Sequence, residues 1–129
     1  MNFKINIKQD VIDLIKIYNI YSFEVGGMIF GRKKFNKYTL NTLSFKKGKS
    51  VNISFSSGDK IIYQLPEKQK IIGTWHLHPM QLEARPSSVD LKQWNTWKKN
   101  YIHIICTKKG FKIFNSKGEC LYEYFMEEM

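Results

Sequence analysis

The sequence predicts a single α/β (α+β) domain in which a mixed β-sheet is flanked by helices. Its length of 129 residues is enough for one hydrophobic core and short for two domains. A hydrophobic fraction of 43% with 15% aromatic residues is typical of a globular chain and argues against disorder. The predicted elements run in the order helix, several strands, helix and three strands. This order is typical of a sheet covered by helices.

The N-terminal part of the chain contains a predicted helix followed by a glycine-rich strand. In Gln9–Tyr21, apolar residues recur at steps of three and four, and Asp10 is a plausible N-cap. The following segment "FEVGGMIFGRK" has strand character although it contains Gly26 and Gly27. Glycine weakens a strand, so this pair indicates that another backbone or a ligand approaches closely.

The remaining elements are predicted from apolar runs and turn residues. A second helix begins after Pro86, with Ser87 as its N-cap and an apolar stripe of Leu91, Trp94 and Trp97. The predicted strands are "KYTLNTLSF", "VNISFS" after a turn at "KKGKS", "DKIIYQL" as a short strand or helical turn, "KIIGTWHLH", and "YIHIICT", "FKIFNS" and "ECLYEYF", joined by turns at Gly110 and Gly118.

Charge, apolar runs and cysteines restrict the classes of protein. The net charge of +10 at pH 7 invites a nucleic-acid hypothesis. The lysines are scattered, however, and no predicted helix carries a basic face, so an acidic protein partner is at least as compatible. No apolar run approaches the roughly 18 residues of a membrane span, and a cytoplasmic protein is expected. Cys106 is expected to be a buried structural thiol, and Cys120 forms no CxxC pair with it.

The segment "GTWHLHPM" contains two histidines one residue apart. Because side chains on a strand alternate between faces, His76 and His78 point to the same side, whereas Leu77 points into a core. Two imidazoles placed in this way can hold one metal ion. A pair of histidines in a strand also arises by chance, so this pair alone is a weak signal.

Ser87 and Asp90 lie three residues apart at the start of the second predicted helix. A serine N-cap with an acid three residues later is a common helix start, and most such sequences mean nothing more. The functional alternative is that the same turn aims the carboxylate at the histidine strand, leaving a fourth metal position open. Glu24, beside the glycine pair, is then the candidate general base. Its structural alternative is a solvent-facing carboxylate at a strand end.

Three segments together, "EVGGMIFG", "HLHP" and "RPSSVD", resemble the JAMM motif of the JAB/MPN metalloprotease family. That motif consists of a glutamate before a Gly-Gly strand, an HxHP and an S-x-x-D at a helix start. The resemblance runs from about Glu24 to Trp94 and implies a JAB/MPN-like (cytidine-deaminase-like) domain over residues 1–129. Three separated motifs in the correct order are more specific than any one of them.

The resemblance implies a role for each motif residue. His76, His78 and Asp90 would bind one Zn²⁺ ion with water at the fourth position, and Glu24 would be the general acid/base. Ser87 would position the water or stabilise the oxyanion. The implied reaction is deubiquitinase-like hydrolysis of the peptide or isopeptide bond after the C-terminal glycine of a ubiquitin-like modifier or its precursor. The implied partners are that modifier or its conjugate, and modifier-activating or conjugating enzymes.

The chain departs from the family pattern in one loop. Members usually have seven residues between the second histidine and the serine, whereas Pro79 to Pro86 is eight residues. Insertions in loops cost little, so we expect this one to affect loop shape and substrate contacts rather than the ligands. The short segment before "KIIGTW" indicates a compact, prokaryotic-type member. Bacterial relatives occur in modifier-conjugation systems, including antiviral defence, and in sulfur-carrier processing.

Two other functions stay open at the level of sequence. One is a catalytically silent MPN-type scaffold that binds proteins, and the other is a DNA-associated protein of the same fold, suggested by the charge. Other conspicuous residues are expected to be structural. His103 is expected to be a strand histidine, and Trp75 and Trp94 to be packing residues, although Trp94 could line a groove. Glu83 and Arg85 are expected to face solvent, although Arg85 could reach a substrate.

Overall fold

In the residues that the structure describes, the strands form one mixed sheet with a helix on each face. The computed structural model describes residues 4–22, 24–47, 70–81, 83–96 and 100–126. The elements in these residues are β1 (Lys4–Ile7), α1 (Gln9–Tyr18), β2 (Val25–Lys34), β3 (Lys37–Leu43), β4 (Lys46–Lys47), β5 (Lys70–Leu77), α2 (Ser88–Trp94), β6 (Ile102–Thr107), β7 (Gly110–Asn115) and β8 (Cys120–Phe125). The predicted α+β fold class is confirmed.

The strands lie in the order β1-β3-β2-β5-β6-β7-β8, and β4 pairs with the start of β2. The β1/β3 and β5/β6 pairs are parallel, and the other pairs are antiparallel. Parallel neighbours require a crossover connection. For β5 and β6 that crossover contains α2, so the connection that follows the two histidines also carries the second helix across the sheet.

Alternation along β5 separates the core from the site. Trp75 and Leu77 are buried in the main core, together with Val11 and Ile15 of α1. The other face is covered by α2, whose Trp94 packs in a smaller cluster of buried residues with strands β6 and β7. Because side chains alternate with a period of two, the residues on either side of Trp75 and Leu77 point toward α2.

Helix α1 is shorter than predicted and has a different cap. It ends at Tyr18, and its N-cap is Lys8, without a side-chain cap bond, whereas Asp10 lies in the first turn. The prediction of Asp10 as N-cap is therefore wrong, although an acid in the first turn still suits the helix dipole. The end of the helix is set by tertiary contacts, because Lys108 Nζ donates to the carbonyl oxygens of Asn19 and Tyr21.

The second half of the chain follows the predicted order, with a correction to α2. That helix begins after Ser87 as predicted but ends at Trp94. Trp94 is buried, whereas Leu91 is 38% exposed, so the predicted stripe is wrong at Leu91. Trp97 lies outside the described residues. The meander of β6, β7 and β8 is confirmed, and Gly118 adopts a φ of 88°, a conformation that favours glycine.

Two features of the N-terminal half were not predicted. A short strand, β1, precedes α1, and the first two residues of the predicted "KKGKS" turn form β4. The segments "VNISFS" and "DKIIYQL" lie outside the described residues, so those predictions stay untested. None of the helices in the described part of the chain is long and apolar enough to cross a membrane.

Candidate metal centre

The pairing of β2 with β5 brings the glutamate and the histidines to one place. The two strands are antiparallel with Gly26 opposite His76, and continuing this register by two residues puts Glu24 opposite His78. Alternation then places all three polar side chains on the face covered by α2. His78 lies just past the end of β5, where its N–H donates to the Cys106 carbonyl oxygen at 2.8 Å.

Three buried side chains converge here through their polar atoms. The Nε2 atoms of His76 and His78 are 2.7 Å apart. Asp90 Oδ1 lies 3.2 Å from His76 Nε2, and Asp90 Oδ2 lies 3.3 Å from His78 Nε2. Since all three residues are buried, the carboxylate bridges two imidazoles in a site with little solvent.

Glu24 lies at the edge of this group. Its Oε1 is 3.8 Å from His78 Nε2, farther than the Asp90 oxygen. Ligand atoms of Glu24, His76 and His78 also lie within 4.8 Å of one another, and these three residues could hold a metal ion by themselves. We regard Asp90 as the stronger third donor, because its two oxygens contact both imidazoles. Glu24 is then the carboxylate beside the donors.

The start of α2 holds Asp90 in position. The Ser87 N–H donates to Asp90 Oδ2 at 2.8 Å, and the Asp90 N–H donates to Ser87 Oγ at 3.1 Å. These two bonds form a capping box. Trp94, one turn later, stacks on His103 with ring centroids 4.5 Å apart and anchors the helix to the sheet. The helix-cap and metal-site interpretations of the sequence therefore describe the same arrangement.

The glycine pair allows two backbones to approach β2 closely. A Cβ on Gly26 would lie 2.4 Å from the Trp75 carbonyl oxygen and 2.9 Å from His76 Cβ. A Cβ on Gly27 would lie 2.1 Å from the Ser44 carbonyl oxygen. The close approach predicted from the glycines is thus made by backbone on both sides. Gly26 in particular leaves the space that His76 occupies.

Burial and hydrogen bonding shift the pKa values of the site residues in different directions. Burial disfavours the charged form of Asp90, but hydrogen bonds with His76 and His78 outweigh it and hold the Asp90 pKa far below its usual range. Burial lowers the pKa of His76. For His78, contacts with Asp90 and Gln81 overcome burial and raise the pKa. Burial raises the pKa of Glu24. Asp90 is therefore ionised and His76 neutral, the states in which both bind metals.

The remaining histidine and the cysteines have structural environments. His103 is fully buried, with its ring nitrogens 2.8 Å from Thr74 Oγ1 and 3.0 Å from Ser116 Oγ. Burial and the nearby His76 lower the pKa of His103 to about 3, so the ring is neutral. Cys106 is buried, and it and Cys120 are free thiols.

The other conspicuous residues also follow the structural interpretation. Trp75 and Trp94 are almost completely buried, so Trp94 does not line an open groove. Glu83 and Arg85 are exposed in the loop of residues 79–86, here called the site loop. A groove of about 410 Å³ lies between Glu83 and the β7–β8 hairpin, and none of the five motif residues lines it. We therefore assign the site from its polar cluster and not from this groove.

Two residues that contact the site or its loop were missed by the sequence analysis. Gln81 Oε1 lies 2.9 Å from His78 Nδ1, and Lys112 Nζ lies 3.1 Å from Glu83 Oε1 and 3.5 Å from Glu123 Oε1. Gln81 had one available signal, its spacing of three residues from a candidate ligand. Lys112 had none, because its partners come from distant parts of the chain.

Comparisons with known proteins find similarity in structure. No protein-family model matches the sequence, and no curated protein sequence matches it. A JAB1/MPN domain protein from Archaeoglobus fulgidus superposes with a TM-score of 0.62 at 25% identity, over 93% of this chain and 95% of that one. A protein from Desulfitobacterium hafniense gives a TM-score of 0.64 at 17% identity, over 94% and 90% of the two chains.

A third similar structure shares the fold. It is described as JAMM, a metalloprotease-like zinc site in the proteasome and signalosome, and gives a TM-score of 0.50 at 21% identity over 98% of this chain and 100% of that one. The fold and the buried cluster define an α+β protein with a candidate metal centre at the ends of the central strands β2 and β5 of a mixed sheet. The similarity to a JAB1/MPN domain at 25% identity, over nearly the whole of both chains, shows a shared fold and supports the resemblance to the JAB/MPN family.

Proposed function

We propose that this protein is a zinc-dependent peptidase or isopeptidase that cleaves after the C-terminal glycine of a ubiquitin-like modifier or its precursor. The convergence of His76, His78 and Asp90, with Glu24 beside them, is the observation that carries the proposal. The substrate class comes from the resemblance to the JAMM motif. The same resemblance suggests a modifier-conjugation system, such as one used in antiviral defence, as the setting.

The donor set fits zinc. Donors at about 2.0–2.1 Å from a tetrahedral ion are separated from one another by about 3.3 Å. The two separations between histidine nitrogens and Asp90 oxygens, 3.2 and 3.3 Å, match this value. The separation between the two histidine nitrogens, 2.7 Å, is the one that falls short of it. Three nitrogen and oxygen donors are typical of catalytic zinc sites, and zinc bound here would supply Lewis acidity and lower the pKa of water.

In this proposal the proton transfer falls to Glu24. In hydrolysis, the oxygen of water bonds to the carbonyl carbon, the C–N bond breaks, and a proton from water must reach the leaving amine nitrogen. We assign this transfer to the Glu24 carboxylate, since it is half-buried and adjoins the donors without being the stronger third ligand. Ser87 Oγ accepts the Asp90 N–H, so its hydroxyl hydrogen is free to donate to the carbonyl oxygen as negative charge develops there.

The test uses zinc-loaded protein and two fusions, ubiquitin and a sulfur-carrier protein, each extended past its Gly-Gly tail. Mass spectrometry should show cleavage after the terminal glycine. Glu24→Gln removes the base while keeping the shape, so it should abolish cleavage and leave the zinc content unchanged. Glu119→Gln, an exposed glutamate in the turn before β8, is the matched control and should cleave normally.

Metal content separates the enzyme from a binding scaffold. The wild type should bind one zinc ion per chain, and His78→Ala should lose it, because a buried donor is removed. Cleavage that persists in Glu24→Gln would contradict the assignment of the base. A zinc-binding protein that cleaves neither fusion would contradict the proposed substrate class, and a protein that binds no zinc would favour a scaffold.

A further inference from the structure

We propose that Gln81 is a positioning residue that fixes the tautomer of His78 and thereby strengthens metal binding. The proposal rests on the metal site proposed above and adds a residue that belongs to none of the motif positions. Gln81 lies in the site loop, the segment that is one residue longer than the family pattern. Its role would give that loop a function at the metal centre.

The geometry around His78 constrains both its backbone and its ring. Gln81 Oε1 lies 2.9 Å from His78 Nδ1, and the Gln81 N–H donates to the His78 carbonyl oxygen at 3.3 Å, closing a turn. The His78 N–H donates to the Cys106 carbonyl oxygen at 2.8 Å. The peptide groups on both sides of His78 are thus held, and the Gln81 side chain is the group that orients the imidazole from the side opposite the site.

The chemistry of this contact selects one tautomer. A side-chain amide oxygen only accepts hydrogen bonds, so the contact requires a hydrogen on His78 Nδ1. A neutral imidazole protonated at Nδ1 carries its lone pair on Nε2, which is the atom that faces His76 Nε2 and Asp90 Oδ2. An apolar residue at position 81 would leave either tautomer open, and the tautomer protonated at Nε2 has no lone pair to give a metal.

The site loop is also held at its other end. Glu83 accepts from Lys112 Nζ at 3.1 Å, and Ala84 is buried in the cluster that contains Trp94. Gln81 is therefore carried by a segment attached to β7 and to the α2 side of the sheet. Ring N–H groups of metal-binding histidines commonly have such an acceptor, and removing it typically costs about 10–100-fold in metal affinity.

The test compares three variants by zinc affinity, measured in competition with a chelator. Gln81→Met keeps the length and removes the acceptor, and we expect zinc to bind about 10–100-fold more weakly. Gln81→Glu keeps an acceptor oxygen and should bind at least as tightly as the wild type. Gln9→Met makes the same chemical change on an exposed residue of α1, where the side chain donates to Asp13 Oδ1, and should leave the affinity unchanged.

Nitrogen NMR of the metal-free protein gives a second readout that a general loss of packing would not reproduce. The wild type should show the His78 hydrogen on Nδ1, and Gln81→Met should shift it partly to Nε2. If Gln81→Met does not fold, Gln81→Asn, whose acceptor is one carbon shorter, replaces it with the same expected losses. Unchanged zinc affinity in a folded Gln81→Met, or a wild type with no hydrogen on His78 Nδ1, would overturn the proposal. A wild type that binds no zinc overturns the proposed function, and the NMR result then still decides the role of Gln81.

Discussion

Acidification should destabilise this protein through one histidine that has no part in the proposed chemistry. His103 is fully buried, is stacked on Trp94, and has hydroxyl partners at both ring nitrogens. Its pKa is about 3 in the folded protein, against an ordinary value of 6.5. The unfolded chain therefore binds a proton at His103 at pH values where the folded chain does not. The contribution of His103 to stability is fully present well above pH 6.5 and is lost as the pH falls through 6.5 toward 3.

The magnitude follows from these two pKa values. Well between these two pKa values, each unit by which the pH falls lowers the free energy of unfolding by about 1.4 kcal/mol. Near pH 6.5 the effect is only beginning, because the unfolded histidine is then half protonated. Between pH 7 and pH 5, the loss attributable to His103 is therefore about 2 kcal/mol.

Urea unfolding, followed by tryptophan fluorescence with a chelator present, measures this loss in the wild type and in His103→Gln. The variant is expected to be less stable at every pH, because it loses the stack on Trp94. It lacks the titrating ring, however, so the wild type should lose about 2 kcal/mol more than the variant between pH 7 and pH 5. His76 and His78 titrate in both proteins and cancel in the comparison. Equal losses in the two proteins would refute the reasoning.

Three further predictions concern the packing around the site. Gly26→Ala should reduce the free energy of unfolding by about 1–3 kcal/mol and weaken zinc binding, because its Cβ would clash with the backbone of the paired strand β5. Unchanged urea and zinc titrations would contradict this prediction. Lys112→Met should speed amide hydrogen exchange in the site loop, because it removes the ion pair between Lys112 and Glu83. Lys117→Met should leave the exchange unchanged, and equal exchange rates in the two variants would contradict a role for this ion pair. Cys120 should react with iodoacetamide in the folded protein, and Cys106 only after unfolding, because Cys106 is buried and burial raises the pKa of its thiol; mass spectrometry that finds Cys106 labelled in the folded protein would count against the fold.

Features that depend on neighbouring residues could be predicted from the sequence alone. Alternation along one strand put His76 and His78 on one face, and the spacing of Ser87 and Asp90 produced the capping box that the structure shows. The meander of the last three strands followed from apolar runs separated by Lys-Gly turns. These predictions were possible because period-two alternation and helix capping act over a few residues.

The long-range contacts of those local elements could not be predicted from the sequence. The register of β2 on β5 sets Gly26 opposite His76 and so brings Glu24 to the histidines, and no local pattern predicts a pairing between residues 50 positions apart (76 − 26 = 50). The end of α1 was misjudged because Lys108 binds the carbonyl oxygens of Asn19 and Tyr21, which follow the last helical residue. The contact between Gln81 and His78 requires the path of the site loop. In each case the partner is chosen by packing and strand pairing, which the periodicity of a single segment does not contain.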